Sequence, residues 1–385
     1  MLDLAPRTHA PRTAAEVAEI VAAGGALEIV GGGTKRSIGA VRADTVLSLA
    51  GLNKVIDYAP EELVLTAQPG VTLAALERLV AAQGQMLPFE PPHFGKLLGA
   101  KGRATLGGTL AANLSGPRRI RAGAARDHLL GFTAVTGRGE IVKAGGKVVK
   151  NVTGYDLSKL MCGSWGTLAV MTEVTIKVLP AARAEATLLL FALDDRRAAE
   201  AMGLALNAPV DVSAAAHLPQ STAARAPLKA QMAVTAVRLE GFDASVAARF
   251  DTLAGALRGF GHIQRLDGLL SREFWDQIRE VEAFRKDPRP LWRLSVPPAS
   301  GWQVADALAG EPLYDWGGGL VWLLSEESPE AVRAAARAHG GQAVLYRGDG
   351  AAFATLDGPL AALTARVKAA FDPNGVLNPG RMGPA

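Results

Sequence analysis

The 385-residue chain contains a single cysteine, Cys162, and six histidines. One thiol excludes an internal disulfide, an iron–sulfur cluster and a cysteine-built zinc site, because each needs further sulfur ligands. Aromatic residues are scarce, at 5%, and no stripe of Lys and Arg is interleaved with them. The net charge of +4 therefore does not make a nucleic-acid-binding surface. No apolar run reaches the roughly 18 residues that a spanning helix needs, no amphipathic anchor is present, and the N-terminal MLDLAPRTHAPRT lacks the apolar block of a secretory leader. We therefore expect a cytoplasmic protein, with any peripheral association at the inner face of the membrane made through partners.

What is present reads as an ordinary globular composition, 49% hydrophobic and 20% charged, long enough for two or three domains. Thr13 followed by Glu16 is a capping box, and Val17, Ile20 and Val21 then give a short helix an apolar face. ALEIV (26–30) reads as a strand running straight into GGGTKRSIG, and ELVLTAQPG (62–70) as a second strand ending in a turn. Thr72 caps a helix with Leu73, Leu76, Leu79 and Val80 facing inward. In VMTEVTIKV the residues Val170, Thr172, Val174, Ile176 and Val178 alternate, as on a strand near the centre of a domain.

At LPAARAEA (179–186) the composition turns from glycine-rich to alanine- and leucine-rich, which marks a boundary. Beyond it strands such as ATLLLFAL and MAVTAVRLEG alternate with helices, including SREFWDQIREVEAF with Ser271 as its cap. That alternation predicts an α+β sheet with helices on one face. PLAALTARVKAAF then closes the chain as a helix, followed by a turn rich in Pro and Gly.

Three glycine-rich stretches need a common explanation. Gly31, Gly32 and Gly33 follow a strand, where glycine permits positive φ and exposes successive N–H groups to an anion. Gly107, Gly108, Ala111, Ala112, Ser115 and Gly116 keep a second stretch small, and Gly163, Ser164, Gly166 and Thr167 a third. The Rossmann fingerprint is missing, because Arg36 stands where its last glycine belongs, and no Walker sequence is present. Any one such loop is more often a tight turn. Three together suit a long, phosphate-bearing cofactor gripped by backbone on both sides.

The segments GGGTKRSIG, ATLGGTLAANLSGPRRIRAGAARDHLLG, KNVTGYDLSKLMCGSWGTLAVMTEVTIKVLP and FDPNGVLNPGRM resemble the FAD-binding oxidoreductases of the vanillyl-alcohol oxidase type. Within that superfamily, SGPRRIRAG joined to VVKNVTGYDLSKLMCGS resembles the E-subunit family of bacterial glycolate oxidases. The resemblance implies an α+β fold: a two-subdomain PCMH-type FAD-binding domain (1–180), an α+β cap domain with an antiparallel sheet (181–370), and a C-terminal segment (371–385) returning to the first.

It also implies site residues. Gly31, Gly32, Gly33, Thr34, Lys35, Arg36 and Ser37 would wrap the diphosphate of FAD. Thr105, Gly107, Gly108, Ala111 and Ala112 would line the diphosphate and ribityl chain from the other side, with Pro69, Gly70 and Ser115 in the same set. Gly116, Arg121, Gly123 and Asp127 would continue that wall. Gly163, Gly166, Thr167 and Val174 would sit against the adenine end, and Asn378 near the ring. No histidine lies between Gly31 and Gly39 to link the flavin, so noncovalent FAD is expected.

The catalytic signals are sparser. Substrate-oxidising relatives carry a histidine-rich metal site on the cap, whereas His217, His262 and His339 stand far apart, and no metal is expected. Those relatives also place an acidic residue where Trp165 stands. Arg293 in LWRLS and Arg347 in LYRGDG are the candidate catalytic residues, since a planar guanidinium meets a substrate carboxylate through two charge-assisted bonds. His93, without an evident carboxylate, reads first as a surface polar group, and Cys162 as a small buried apolar residue. Lys150, Tyr155 and Asp156 read equally as site residues or as a helix start.

Three functions stay open from these residues. The first is an FAD-binding subunit of a glycolate oxidase complex. It would take part in oxidising glycolate or a similar 2-hydroxy acid, beside a second flavin subunit, and relay electrons to an iron–sulfur subunit. The second is a non-catalytic scaffold that keeps the flavin fold for assembly. The third is a self-contained FAD-dependent 2-hydroxy acid oxidase.

Overall fold

The computed structural model describes residues 7–146, 155–227 and 229–383, which form two compact units. The first holds the chain up to Leu114, Ala124–Pro180 and everything from Ala351 onward; the second holds Ser115–Gly123 and Ala181–Gly350.

The first unit opens with strand β1 (Arg7–His9), helix α1 (Ala14–Ala22), β2 (Leu27–Val30) and β3 (Thr45–Ser48). Thr13 caps α1 as its sequence predicts, its side chain accepting the N–H of Glu16. The three strands form a parallel sheet in the order β1-β3-β2, with both Arg7 and Leu27 opposite Thr45. Beside it lies a five-stranded antiparallel sheet of β4 (Val55–Ala59), β5 (Val64–Ala67), β6 (Leu129–Thr136), β7 (Ile141–Gly145) and β8 (Ala169–Lys177), ordered β4-β5-β8-β6-β7.

Strand β8 is central, as its alternation predicts, but it is buried on both faces. Val174 and Ile176 pack in the main core with Leu73, Leu76 and Val80 of α2 (Leu73–Ala81). Val170 belongs to a second core with Val17 and Val21 of α1. Thr175 is buried opposite Thr66 of the neighbouring strand β5, their hydroxyls hydrogen-bonded at 2.9 Å. Helix α3 (Leu106–Ala111) carries Gly107, Gly108 and Ala111 of the second glycine-rich stretch.

The second unit is built on one eight-stranded antiparallel sheet. Its strands are β9 (Ala184–Phe191), β10 (Val212–Leu218), β11 (Val234–Gly241), β12 (Ile263–Asp267), β13 (Leu291–Ser295), β14 (Glu311–Asp315), β15 (Leu320–Leu324) and β16 (Gln342–Arg347). Their order is β12-β9-β11-β10-β14-β15-β13-β16, and the halves are joined at the β10–β14 pairing, with His217 opposite Tyr314. Helices α4 (Asp195–Asn207) and α5 (Asp243–Leu257) bury Met202, Phe250 and Leu253 against Leu188 and Leu190 of β9.

The expectation that helices cover one face alone is corrected by α6 (Gly268–Arg279). Its Trp275 Nε1 donates to Thr187 Oγ1 at 2.8 Å, and Thr187 points away from Leu188 and Leu190 because strand side chains alternate. Ser271 is not the cap of this helix. It lies inside α6, fully buried, and donates to Glu185 Oε1 at 2.7 Å. The cap position is Asp267. In the other half, α7 (Pro329–Ala338) packs Val332 and Ala336 against Trp292, Leu294 and Leu345.

The chain rejoins the first unit at Ala351, earlier than the expected return at 371, so that the closing helix α8 (Gly358–Phe371) belongs there. The cause is local: Lys368 Nζ of α8 donates to the carbonyls of Thr167 and Leu377 and to Asp372.

Candidate cofactor site

Strand β2 delivers the chain into the loop 31–39. Gly33 sits at φ +73°, which an L side chain rarely adopts, and the chain then turns so that the N–H of Ile38 reaches Lys35 O at 3.1 Å. Thr34 and Lys35 are buried, with Lys35 Nζ donating to Thr34 Oγ1 at 3.2 Å. Among the described residues no protein acceptor takes the N–H groups of Gly33 and Thr34, both of which line a cleft.

The second glycine stretch forms the opposite wall. Thr105 caps α3, its Oγ1 accepting from Gly108 N–H at 3.4 Å. A methyl group on Gly31 would lie 2.5 Å from that hydroxyl, and one on Gly32 1.6 Å from Arg103 O. Glycine is thus needed here because two stretches of main chain cross in contact. Likewise a methyl group on Gly107 would meet Pro69 at 2.4 Å, and one on Gly70 would meet Leu49 O at 2.2 Å. These residues shape the wall from behind.

The third stretch closes the end of the cleft. The N–H groups of Gly163 and Trp165 donate to Leu110 O and Ala111 O at 3.3 and 2.9 Å. Asn378, itself buried, joins this loop to β2: its Oδ1 accepts Ile29 N–H and its Nδ2 donates to Trp165 O, both at 2.8 Å. The three stretches therefore converge within one unit on a cleft lined by residues 31–36, Thr105, Gly108 and Ala111, together with Ile29, Val30, Trp165 and Arg381.

Charge in the cleft is mostly positive. Arg36 grips Glu28 through two bonds of 2.7 and 2.5 Å, and this pairing holds its pKa above the ordinary guanidinium value. Arg381, only 6% exposed, approaches the same carboxylate at 3.5 Å and donates to Ile38 O at 3.1 Å. Its Nε–H has no acceptor among the described residues, and burial pushes its pKa down. A group with anionic oxygens fits this cradle: free N–H groups, a buried donor without a partner and an excess of cations all favour it.

Other residues expected at the site do not line this cleft. Ser37 is exposed, and Ala112 is the C-cap of α3. Val174 is in the core rather than on the cleft. Thr167 spends its hydroxyl on Ser164 O, and Asp127 accepts the N–H of Ala124 at 2.8 Å. Ser115, Gly116, Arg121 and Gly123 belong to the second unit, where Gly116 O accepts from Trp316 Nε1 at 3.0 Å and Arg121 pairs with Asp211 at 2.6 Å. Asp156 caps a short helix through Lys159 N–H, Tyr155 is exposed, and Lys150 lies outside the described residues.

His93 does have a carboxylate, Glu77, at 3.2 Å. Cys162 is buried, as expected of a small apolar residue, and burial pushes its thiol up to about 12. Arg347 is tied to the carbonyls of Arg289 and Phe284 at 3.3 and 3.2 Å, and burial lowers its pKa. Arg293 instead lies over the rings of Trp316 and Trp322, at 5.1 and 5.9 Å, with no hydrogen-bonding or ionic partner among the described residues. Sequence reasoning missed Arg381 and Trp165 as cleft residues; the signal for Arg381 was its place three residues after Asn378 in the closing NPGRM.

Known proteins agree with this cradle. A family model described as an FAD binding domain matches residues 6–145. A solved alkyldihydroxyacetonephosphate synthase superposes with a TM-score of 0.69 over 97% of this chain and 76% of its own, at 16% identity, which establishes the common fold. Fold, cleft and domain match define an FAD-dependent oxidoreductase with a PCMH-like FAD-binding fold.

The glycolate oxidase subunit GlcE of Escherichia coli is 37% identical over 357 residues, covering 92% of both chains, and this chain belongs to that family. The D-lactate dehydrogenase of Anaerostipes hadrus is 38% identical over 43% of this chain and 31% of its own length. The glycolate oxidase subunit GlcD of Bacillus subtilis is 35% identical over 37% of this chain and 29% of its own. Among the described residues no helix is long and apolar enough to cross a membrane.

Proposed function

We propose that the chain is the noncovalent FAD-binding subunit of an assembly that oxidises glycolate, or a similar small 2-hydroxy acid, to the 2-oxo acid. A second flavin subunit would be its partner, and an iron–sulfur subunit would receive the electrons. The observation that carries this reading is the 37% identity with GlcE along nearly the full length of both chains. One structural fact supports it: the cleft residues suit the diphosphate of FAD, with the loop 31–36 and Thr105, Gly108 and Ala111 as its walls.

When bound, FAD supplies two-electron acceptor chemistry. The protein's own part is to bind and orient. Loop 31–36 offers main-chain donors, Asn378 fixes β2 against the Trp165 loop, and Lys35 adds charge beneath Thr34. If a substrate carboxylate docks on this chain, Arg293 is the group suited to it, with its guanidinium over the rings of Trp316 and Trp322 and no competing carboxylate among the described residues.

The test is anaerobic addition of glycolate and of D-lactate to the purified flavoprotein, followed by flavin absorbance, with and without copurified partner subunits. Reduction only with partners present is expected. Full bleaching of the isolated chain would replace this reading with a self-contained oxidase, and a chain that takes up no FAD would make it a scaffold.

A further inference from the structure

We propose that Arg381, carried on the C-terminal segment, is a cofactor-binding residue that supplies positive charge and a hydrogen-bond donor to the diphosphate of FAD. The inference rests on the FAD reading of the cleft and goes beyond it by assigning the anchor to the far end of the chain.

Three observations lead to it. Arg381 lines the cleft and is only 6% exposed, yet its Nε–H has no acceptor among the described residues. Buried guanidinium donors are ordinarily satisfied, so an unpartnered one on a residue that lines a cleft calls for an oxygen acceptor. The neighbouring carboxylate does not supply it, since Glu28 is engaged by both Nε and Nη2 of Arg36 and stands 3.5 Å from Arg381 Nη2. Arg381 and Arg36 both approach the single carboxylate of Glu28, so it does not neutralise both guanidinium groups.

The segment is also held in place independently of any ligand. Arg381 Nη1 donates to Ile38 O at 3.1 Å, and Arg42 N–H donates to Pro379 O at 2.9 Å. Gly39, at φ +74°, lets Arg381 O approach so closely that a methyl group there would lie 2.2 Å from it. The guanidinium is therefore presented from a fixed backbone, and its ordering entropy is already spent before the ligand arrives.

The experiment uses the full-length chain stripped of flavin, with dissociation constants of FAD, ADP and riboflavin measured by calorimetry for wild type, Arg381→Lys and Arg381→Met. ADP carries the diphosphate without the flavin, and riboflavin the ring without phosphate. We expect Arg381→Met to weaken FAD and ADP by roughly 10- to 100-fold and riboflavin by less than threefold, as for loss of one charge-assisted bond. Arg381→Lys should fall between, because it keeps the charge and loses the planar fork. The FAD affinity of Arg381→Met should also depend less steeply on salt than that of wild type. Unchanged FAD and ADP affinity in both variants would overturn the inference while leaving the FAD reading intact, and equal losses for all three ligands would overturn it in favour of a purely structural role. Should Arg381→Met not fold, the Lys variant and the wild-type salt series decide by the same criteria. A wild-type chain that binds no FAD would overturn the cofactor reading and this inference together.

Discussion

Asn378 offers a decisive test of how the cleft is assembled. Its amide serves two segments at once, accepting from Ile29 N–H and donating to Trp165 O, each at 2.8 Å, and the residue is 2% exposed. Asn378→Ala leaves a donor on β2 and an acceptor on the third glycine loop without partners. A stranded buried polar group costs about 1–3 kcal/mol, so the two together come to about 3 kcal/mol once water recovers part of the loss. At about 2–4 °C per kcal/mol for a unit of this size, the thermal midpoint should fall by roughly 6–12 °C, with FAD uptake weakened in parallel.

Asn378→Asp sharpens the test. Its carboxylate can still accept from Ile29 N–H, but a second oxygen then faces the Trp165 carbonyl. The charged form is disfavoured there, so the folded-state pKa of this aspartate lies above its unfolded value near 3.9. Its contribution is present below that unfolded value and lost as pH rises through the folded one. The Asp variant should therefore regain stability relative to Asn378→Ala as the pH falls toward 4, because the protonated carboxyl donates to Trp165 O. Thermal denaturation by circular dichroism between pH 4 and 8 reads both effects. A midpoint for Asn378→Ala within about 1 °C of wild type, or parallel pH profiles for the two variants, would refute the bridging role.

Three further perturbations follow from the same structure. Gly32→Ala places a methyl group 1.6 Å from Arg103 O, so the crossing loops must separate; a loss of about 3 kcal/mol or more and poor FAD retention are expected by denaturant titration, and a wild-type titration curve would show that the crossing can relax. In the second unit Asp195 accepts from His217 Nε2 and from Tyr314 OH where the two halves of the sheet meet. Burial raises its pKa, but those two hydrogen bonds outweigh it and hold the carboxyl below its ordinary range. That stability is present above the unfolded value near 3.9 and is lost as pH falls through the lower folded value, so wild type should lose stability below pH 4 more steeply than Asp195→Asn; identical acid unfolding curves would contradict this. Cys162, with its thiol pushed up to about 12 by burial, should resist iodoacetamide at pH 8 in the folded protein and react once denatured, whereas rapid alkylation of the native chain would show that the loop after it opens.

The closing motif shows why neighbouring residues differ in how readable they are. Asp372 is buried and accepts the N–H groups of Val376 and Leu377 at 2.9 and 2.8 Å while pairing with Lys368. A turn with Pro and Gly is visible in DPNGVLNPGRM, because those residue types restrict or free the backbone locally. That the turn exists to carry Arg381 into the cleft is not visible, since Arg381 meets Ile38, Glu28 and Gly39 only after some 340 residues of intervening chain have folded. The glycines divide in the same way. All three stretches stood out as needing minimal side-chain volume, yet Gly32, Gly70 and Gly107 meet protein backbone or Pro69, while Gly33 faces the cleft with a positive φ. One residue type answers both demands, so composition alone cannot separate them.

What the amino-acid order determined by itself is therefore local and compositional. The caps at Thr13 and Thr72, the alternation of β8, the absence of cysteine ligands and the small-residue loops each follow from propensity, periodicity or the lack of a Cβ within a few neighbouring residues. Tertiary structure alone decided that Ser115–Gly123 packs with the second unit, that Ser271 lies inside a helix rather than at its start, and that Arg347 is consumed by main-chain carbonyls while Arg293 is not. Those outcomes depend on charge pairs and carbonyls brought together from distant positions, such as Arg118 with Glu240 at 2.7 Å, and the energies of such contacts are set by geometry that no short window of sequence contains.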